Sequence, residues 1–277
     1  MLEIDFAHPE NEEPITDDPS PMKTKEIREI LNKVRENLAE KFRDNLRCLI
    51  LYGSWAKETA RKDSDVDLLA IFDRMDKEVR KSIHDMVWDA DRDITIEPAS
   101  LDDFRDEKLP LYTAIKREGE VIWGEVDRSI LPISPEIKYS EFIRRSYEFE
   151  SSKIKIAQEL LEKDLSSGIG EICFVAAKHA IQAALAMKGE GYSSKMAILL
   201  PLAERYFGKE IAEAFKKLFG LYIKTEYGLE FPTDEEAKMA VEYSKEILKV
   251  YESVITDKVG LERLYDSIAP EQTGKKA

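Results

Sequence analysis

The stretch Leu51 to Phe72, LYGSWAKETARKDSDVDLLAIF, constrains this chain more than any other. It joins the end of one apolar run, Leu46 to Tyr52, to the whole of a second, Val66 to Phe72. Both runs have strand length and are apolar on both faces, which predicts central strands of a sheet. The first run ends at Gly53-Ser54, where a sharp turn brings backbone N–H groups and a hydroxyl close to a ligand, and glycine permits that approach. A helix opening near Trp55 would add further N–H groups, a site for phosphate. Ten residues separate Ser54 from Asp65. Alternate strand residues share a face, so Asp65 and Asp67 project together while Val66 points into the core.

Two carboxylates so placed make a hard oxygen site suited to Mg2+. Two such ions can bridge a triphosphate and a nucleophile in an in-line displacement. A third carboxylate is expected from the strand candidate Asp93 to Glu97, whose one face carries Asp93, Thr95 and Glu97. Asp93 is the preferred third ligand or base and Glu97 the substitute. Lys57, Arg61 and Lys62 lie in the connecting segment, where they either sit in solvent or offset the negative charge of Glu58.

The remaining pattern places this motif in a small domain. Residues 1–21 are acidic and proline-interrupted, and read as an extended arm. Ile27, Ile30, Leu31, Val34 and Leu38 recur at helical spacing up to about Asn45. A helix over 76–91, a strand over 93–97 closed by Pro98, a helix over 109–117 and a strand over 121–123 follow. The fold class is therefore α/β (α+β) with a small mixed sheet across 22–129, followed by an all-α bundle. Residues 130–138, with two prolines, read as the linker. Helices are expected over 140–163, 171–188, 193–207, 209–222 and 233–254, making a bundle domain over 139–256 and a tail over 257–277. One alanine-rich stripe runs through Ile172, Val175, Ala176, His179, Ala180, Ala183, Ala184 and Met187, and Thr233 with Glu236 forms a capping box.

The chain of 277 residues is 43% hydrophobic and 35% charged, the balance of a soluble two-domain protein. No apolar run reaches the roughly 18 residues of a membrane span, and no membrane partner is expected. Cys48 and Cys173 sit in apolar stretches and read as buried thiols of the cytoplasm. The net charge of −14 disfavours binding of long nucleic acid.

Gly53-Ser54, ten residues and Asp65-x-Asp67, with Ser64 before the first aspartate and Leu68-Leu69 after the second, resembles the DNA polymerase beta-like nucleotidyltransferase superfamily. Ala114 to Gly124 resembles the helix and strand that close such domains, so the likeness covers roughly residues 25 to 128. It implies that Gly53, Ser54 and Ser64 face a nucleoside triphosphate, ATP above all, with Lys57 and Arg61 as further contacts. It also implies that Asp65 and Asp67 hold two Mg2+ ions together with Asp93. Many members have glycine where this chain has Glu58. Residues 139 to 256 resemble a HEPN domain, through Ala176 to Met187 and Tyr222 to Ala237. The arginine–histidine pair of HEPN ribonucleases is absent, and His179 is expected in the core.

The resemblance implies transfer of a nucleoside monophosphate to a hydroxyl of a protein, an RNA end or a small molecule, with pyrophosphate released. Two alternatives stand beside it: a nucleotide-sensing regulatory module of the toxin–antitoxin type, and an aminoglycoside-type nucleotidyltransferase. In the last case Tyr147, Tyr192, Tyr222 and Tyr227 would line an acceptor pocket. A homodimer through the helical domain is a further expectation.

Overall fold

The computed structural model describes residues 25–60, 64–87 and 94–258. The expected acidic arm, the tail beyond 258, Arg61, Lys62 and Asp93 lie outside the described residues. The chain divides into two compact units, one formed by residues up to 101 with 118–127, the other by 102–117 and 128 onward.

In the first unit, α1 (Lys25–Phe42) leads through a 3-10 turn into β1 (Leu46–Tyr52). There follow α2 (Gly53–Ala56), β2 (Val66–Phe72), α3 (Lys77–Val87), β3 (Ile94–Ser100) and β4 (Glu120–Gly124). The sheet order is β3-β2-β1-β4. β1 runs antiparallel to β2 and β4, and β2 parallel to β3, so the sheet is mixed as expected. One sheet face presents Leu49, Leu51, Val66, Leu68, Ala70, Phe72, Ile94 and Ile96 to Ile27, Leu31 and Leu38 of α1 and to Val79 and Ile83 of α3. Burying these apolar side chains is the main stabilising contribution of the unit, about 1.5–3 kcal/mol for each large one.

Pro98 does not close the third strand, which continues to Ser100. β3 is an edge strand, so the missing proline N–H faces away from β2 and breaks no ladder bond.

The second unit begins with α4 (Leu101–Arg105) and α5 (Pro110–Glu118), of which Leu101 and Glu118 belong to the first. It continues through α6 (Pro135–Lys138), α7 (Ser140–Glu162), α8 (Ile169–Met187), α9 (Met196–Phe207), α10 (Lys209–Glu226) and α11 (Asp234–Lys258). α4 carries no helical signature, because only Leu101 and Phe104 are apolar in it. α8 is the central helix, with α7, α10 and α11 packed around it. Its buried set is wider than one stripe and includes Cys173, Phe174, Ala177, Ile181 and Leu185, because neighbours surround it. Six buried alanines of α8 (Ala176, Ala177, Ala180, Ala183, Ala184 and Ala186) let those neighbours approach closely. By length and composition α8 meets the requirement for a membrane span, contrary to expectation, but most of it is buried against the other helices. The capping box is formed: Glu236 N–H donates to Thr233 Oγ1 at 3.2 Å, and Thr233 N–H donates to Glu236 Oε2 at 2.8 Å.

The stretch read as a linker is fastened rather than loose. Glu107, fully buried, accepts from Lys116 Nζ at 3.0 Å, from Leu131 N–H at 2.9 Å, from the Thr113 hydroxyl at 2.9 Å and from Lys138 Nζ. Lys116 also donates to the Ser129 carbonyl at 3.0 Å, and Lys138 to the Leu131 carbonyl at 3.1 Å. Burial pushes the Glu107 carboxyl up, but Lys138, the Leu131 amide, Lys116 and Thr113 outweigh it and hold the group down at about 2.

Candidate active site

β1 delivers the chain to Gly53, and β2 places Asp67 directly opposite Tyr52 in the antiparallel register. Gly53 has φ +74°, in the left-handed region that side chains avoid. A Cβ on it would lie 2.2 Å from Asp67 Oδ2 and 3.1 Å from Asp67 Cγ. The bare backbone of Gly53 therefore rests against the Asp67 carboxylate, and two independent constraints demand glycine there. Val66 is fully buried, with exposed Asp65 before it and half-buried Asp67 after it, as strand alternation requires. Ser54 stands in the single turn of α2, whose first amides have no partner within a helix.

The loop between the motif halves is fixed at its neck. Trp55 is 3% exposed, and its indole N–H donates to the Ser64 carbonyl at 3.2 Å. Thr59 N–H returns to the Ser54 carbonyl at 3.0 Å. Sequence reasoning missed the role of Trp55, although a tryptophan amid the polar residues of this loop was a visible signal. Lys57 is exposed, and its ammonium sits 2.5 Å from Glu118 Oε2. An exposed pair of this kind contributes little.

β3 lies beside the site. Asp67 pairs with Thr95 and Leu69 with Glu97, so Glu97 shares the face of Asp67 but sits two residues further along. Burial pushes the Glu97 carboxyl above its ordinary range, while Arg80 pulls it back. Among the described residues no three His, Cys, Asp or Glu side chains gather as a metal-holding group. Glu97 thus does not complete a set with Asp65 and Asp67, and the third-carboxylate expectation rests on Asp93, outside the described residues. The pair that is described, two oxygen donors beside a backbone cradle, fits a hard divalent cation such as Mg2+.

Glu58 has φ +58°, which explains why glycine suits this position. Glu58→Gly is expected to raise stability by about 0.5–1 kcal/mol, relief of left-handed strain being partly offset by added freedom of the unfolded chain. Glu58→Gln removes the charge and keeps the strain. If thermal unfolding shows the glutamine variant gaining as much as the glycine variant, charge rather than backbone is the cause.

In the second unit His179 is not a core residue. Its side chain is 42% exposed, and its Nδ1 lies 3.0 Å from Oε1 of Glu150, a buried carboxylate that Lys153 also contacts. A helix stripe counts apolar neighbours and cannot reveal a carboxylate arriving from another helix. Of the four tyrosines, Tyr147 donates to Glu252, Tyr192 meets Phe142, and Tyr222 stacks on Phe174 with Tyr227 at its edge.

Comparison with known proteins bears on both units. The family described as "Polymerase beta, Nucleotidyltransferase" matches residues 32–128, and the HEPN domain family matches residues 145–254. No curated protein sequence matches. Among solved structures, a spectinomycin adenyltransferase, AAD(9) from Enterococcus faecialis, crystallised with ATP and spectinomycin, is 15% identical over 80% of this chain and 99% of its own, with a TM-score of 0.46. A nucleotidyltransferase-like protein from Exiguobacterium sibiricum is 11% identical over 87% of this chain and 79% of its own, with a TM-score of 0.45. A toxin–antitoxin structure with AMP-PNP is 17% identical over 47% of this chain and 96% of its own, with a TM-score of 0.27. The first family match contains the whole Gly53–Asp67 constellation and the mixed sheet that carries it, and the second falls within the helical bundle. The chain is a polymerase beta-type nucleotidyltransferase domain followed by a HEPN domain.

Proposed function

We propose that this chain moves a nucleoside monophosphate from a nucleoside triphosphate, ATP by preference, to a hydroxyl acceptor on a protein, an RNA end or a small molecule. The observation that carries the reading is the seating of the Gly53 backbone against the Asp67 carboxylate, with Asp65 two residues earlier on the same face. Ser54 and the first-turn amides of α2 bind the phosphates, with Lys57 released from Glu118 to join them. Asp65 and Asp67, with Asp93, would hold Mg2+, which supplies positive charge against the triphosphate and the leaving pyrophosphate. The acceptor oxygen bonds to the α-phosphorus as the bond to the bridging oxygen of pyrophosphate breaks. The hydroxyl proton passes to a carboxylate of the site. Asp93 is the preferred base.

Asp65→Asn and Asp67→Asn are each expected to cut pyrophosphate release about a hundred- to thousandfold while leaving thermal unfolding unchanged. The assay supplies Mg2+, each nucleoside triphosphate in turn and a cell extract as acceptor source. Equal turnover in wild type and the asparagine variants would remove the mechanism. Measurable triphosphate binding with no pyrophosphate release by the wild type would instead favour a nucleotide-sensing regulatory module.

A further inference from the structure

We infer that Trp55 is the positioning residue of the Asp65–Asp67 pair, acting through one hydrogen bond across the neck of the loop that follows Gly53. The inference rests on the nucleotidyltransferase reading above and deepens it. The ladder of β2 begins at Val66, which pairs with Ile94, so Asp65 lies one residue before the sheet takes hold of the chain. Sheet register alone therefore fixes Asp67 but leaves Asp65 at a strand end. The residue before Asp65 is Ser64, and its carbonyl accepts the indole N–H of Trp55.

The donor is held firmly. The Trp55 ring is buried in the cluster that contains Leu51, Val66 and Leu68, so packing fixes where its N–H points. The indole nitrogen only donates, which matches a carbonyl. Phenylalanine has no donor, and tyrosine carries its hydroxyl at the far end of the ring. One helical turn thus makes two clamps on the next strand: Gly53 sets the backbone against Asp67, and Trp55 ties down the chain ahead of Asp65. With the neck closed, Lys57 can exchange Glu118 for a ligand without changing the spacing of the two carboxylates.

The test uses the full chain and Mn2+ as a paramagnetic probe, free Mn2+ being measured by electron paramagnetic resonance with a non-hydrolysable triphosphate present. Trp55→Phe is expected to weaken Mn2+ binding about three- to tenfold, the factor that one hydrogen bond carries, and to lower kcat for pyrophosphate release with KM for the triphosphate little changed. Because phenylalanine is smaller and leaves space, a second variant carries 3-benzothienylalanine at position 55. Its ring has nearly the indole shape, with sulfur in place of N–H, and it is expected to show the same loss of Mn2+ affinity at near wild-type unfolding temperature. Wild-type Mn2+ affinity and kcat in the folded benzothienyl variant would overturn the inference and leave the transferase reading intact. Weakened Mn2+ binding in a protein whose wild type releases no pyrophosphate would uphold the positioning role and overturn the transferase reading.

Discussion

Gly53→Ala is expected to lower nucleotidyl transfer about a hundredfold or more while costing only about 2–3 kcal/mol of stability. The two effects have different origins. Left-handed backbone at φ +74° is unfavourable for alanine by about 1–2 kcal/mol, and that part is felt by the fold. The new Cβ would lie 2.2 Å from Asp67 Oδ2, the tip of a short side chain that can swing aside at modest cost. Swinging aside, however, displaces the carboxylate that the chemistry requires, and a misplacement of about 1 Å in such a site costs on the order of a hundredfold. The strand itself cannot yield, because Asp67 is paired on one side with Tyr52 and on the other with Thr95. A double-mutant cycle separates the contributions. In an Asp67→Ala background, Gly53→Ala retains its backbone penalty and loses its clash, so its stability cost is expected to shrink toward the φ contribution alone. An identical cost in both backgrounds, read by chemical denaturation, would show that the two residues do not touch. Undiminished pyrophosphate release by the single variant would show that Asp67 is not placed by Gly53.

Much of this was legible in the residues. β1 and β2 coincide with the two apolar runs, since a strand buried on both faces declares its length directly. That the Gly53 backbone rests against the Asp67 carboxylate, in a space too small for a Cβ, was not legible from the strand–turn–strand pattern and needed the antiparallel register. Glu58 was visible as a departure from glycine, and only its φ revealed what glycine would have relieved. Where the sequence failed, the missing information was non-local. The continuation of β3 past Pro98 depends on which strand lies on which side. The partner of His179 arrives from Glu150, 29 positions earlier. The Glu107 cluster draws on α5, the segment after β4, and α6, with partners up to 31 positions away. Local pattern reads periodicity and propensity; it does not count the hydrogen bonds that a buried charge collects at long range.

Glu107 also carries the largest expected effect on stability. Its carboxylate is fully buried with Lys116 and Lys138, whose side chains are 2% and 5% exposed. Glu107→Gln removes the negative charge and strands two ammonium groups, so about 3–5 kcal/mol of stability is expected to be lost at pH 7. The pH dependence follows from the direction of the shift. The folded carboxyl sits at about 2, below its ordinary 4.5, so its contribution is complete above about 4.5 and fades as pH falls toward 2. The difference between about 4.5 and 2 corresponds to a contribution on the order of 3 kcal/mol. Other carboxylates titrate over the same range, so the informative quantity is the stability gap between wild type and Glu107→Gln, measured by urea unfolding at pH 7, 4 and 3. That gap is expected to be constant above about pH 5 and to narrow steadily below it, as the wild type approaches the protonated state that glutamine mimics. A gap close to zero at pH 7 that stayed level down to pH 3 would mean that the lysines are satisfied by the Ser129, Leu131 and Arg105 carbonyls alone. In that case the segment after β4 is held by main-chain acceptors, and the buried carboxylate is dispensable to it.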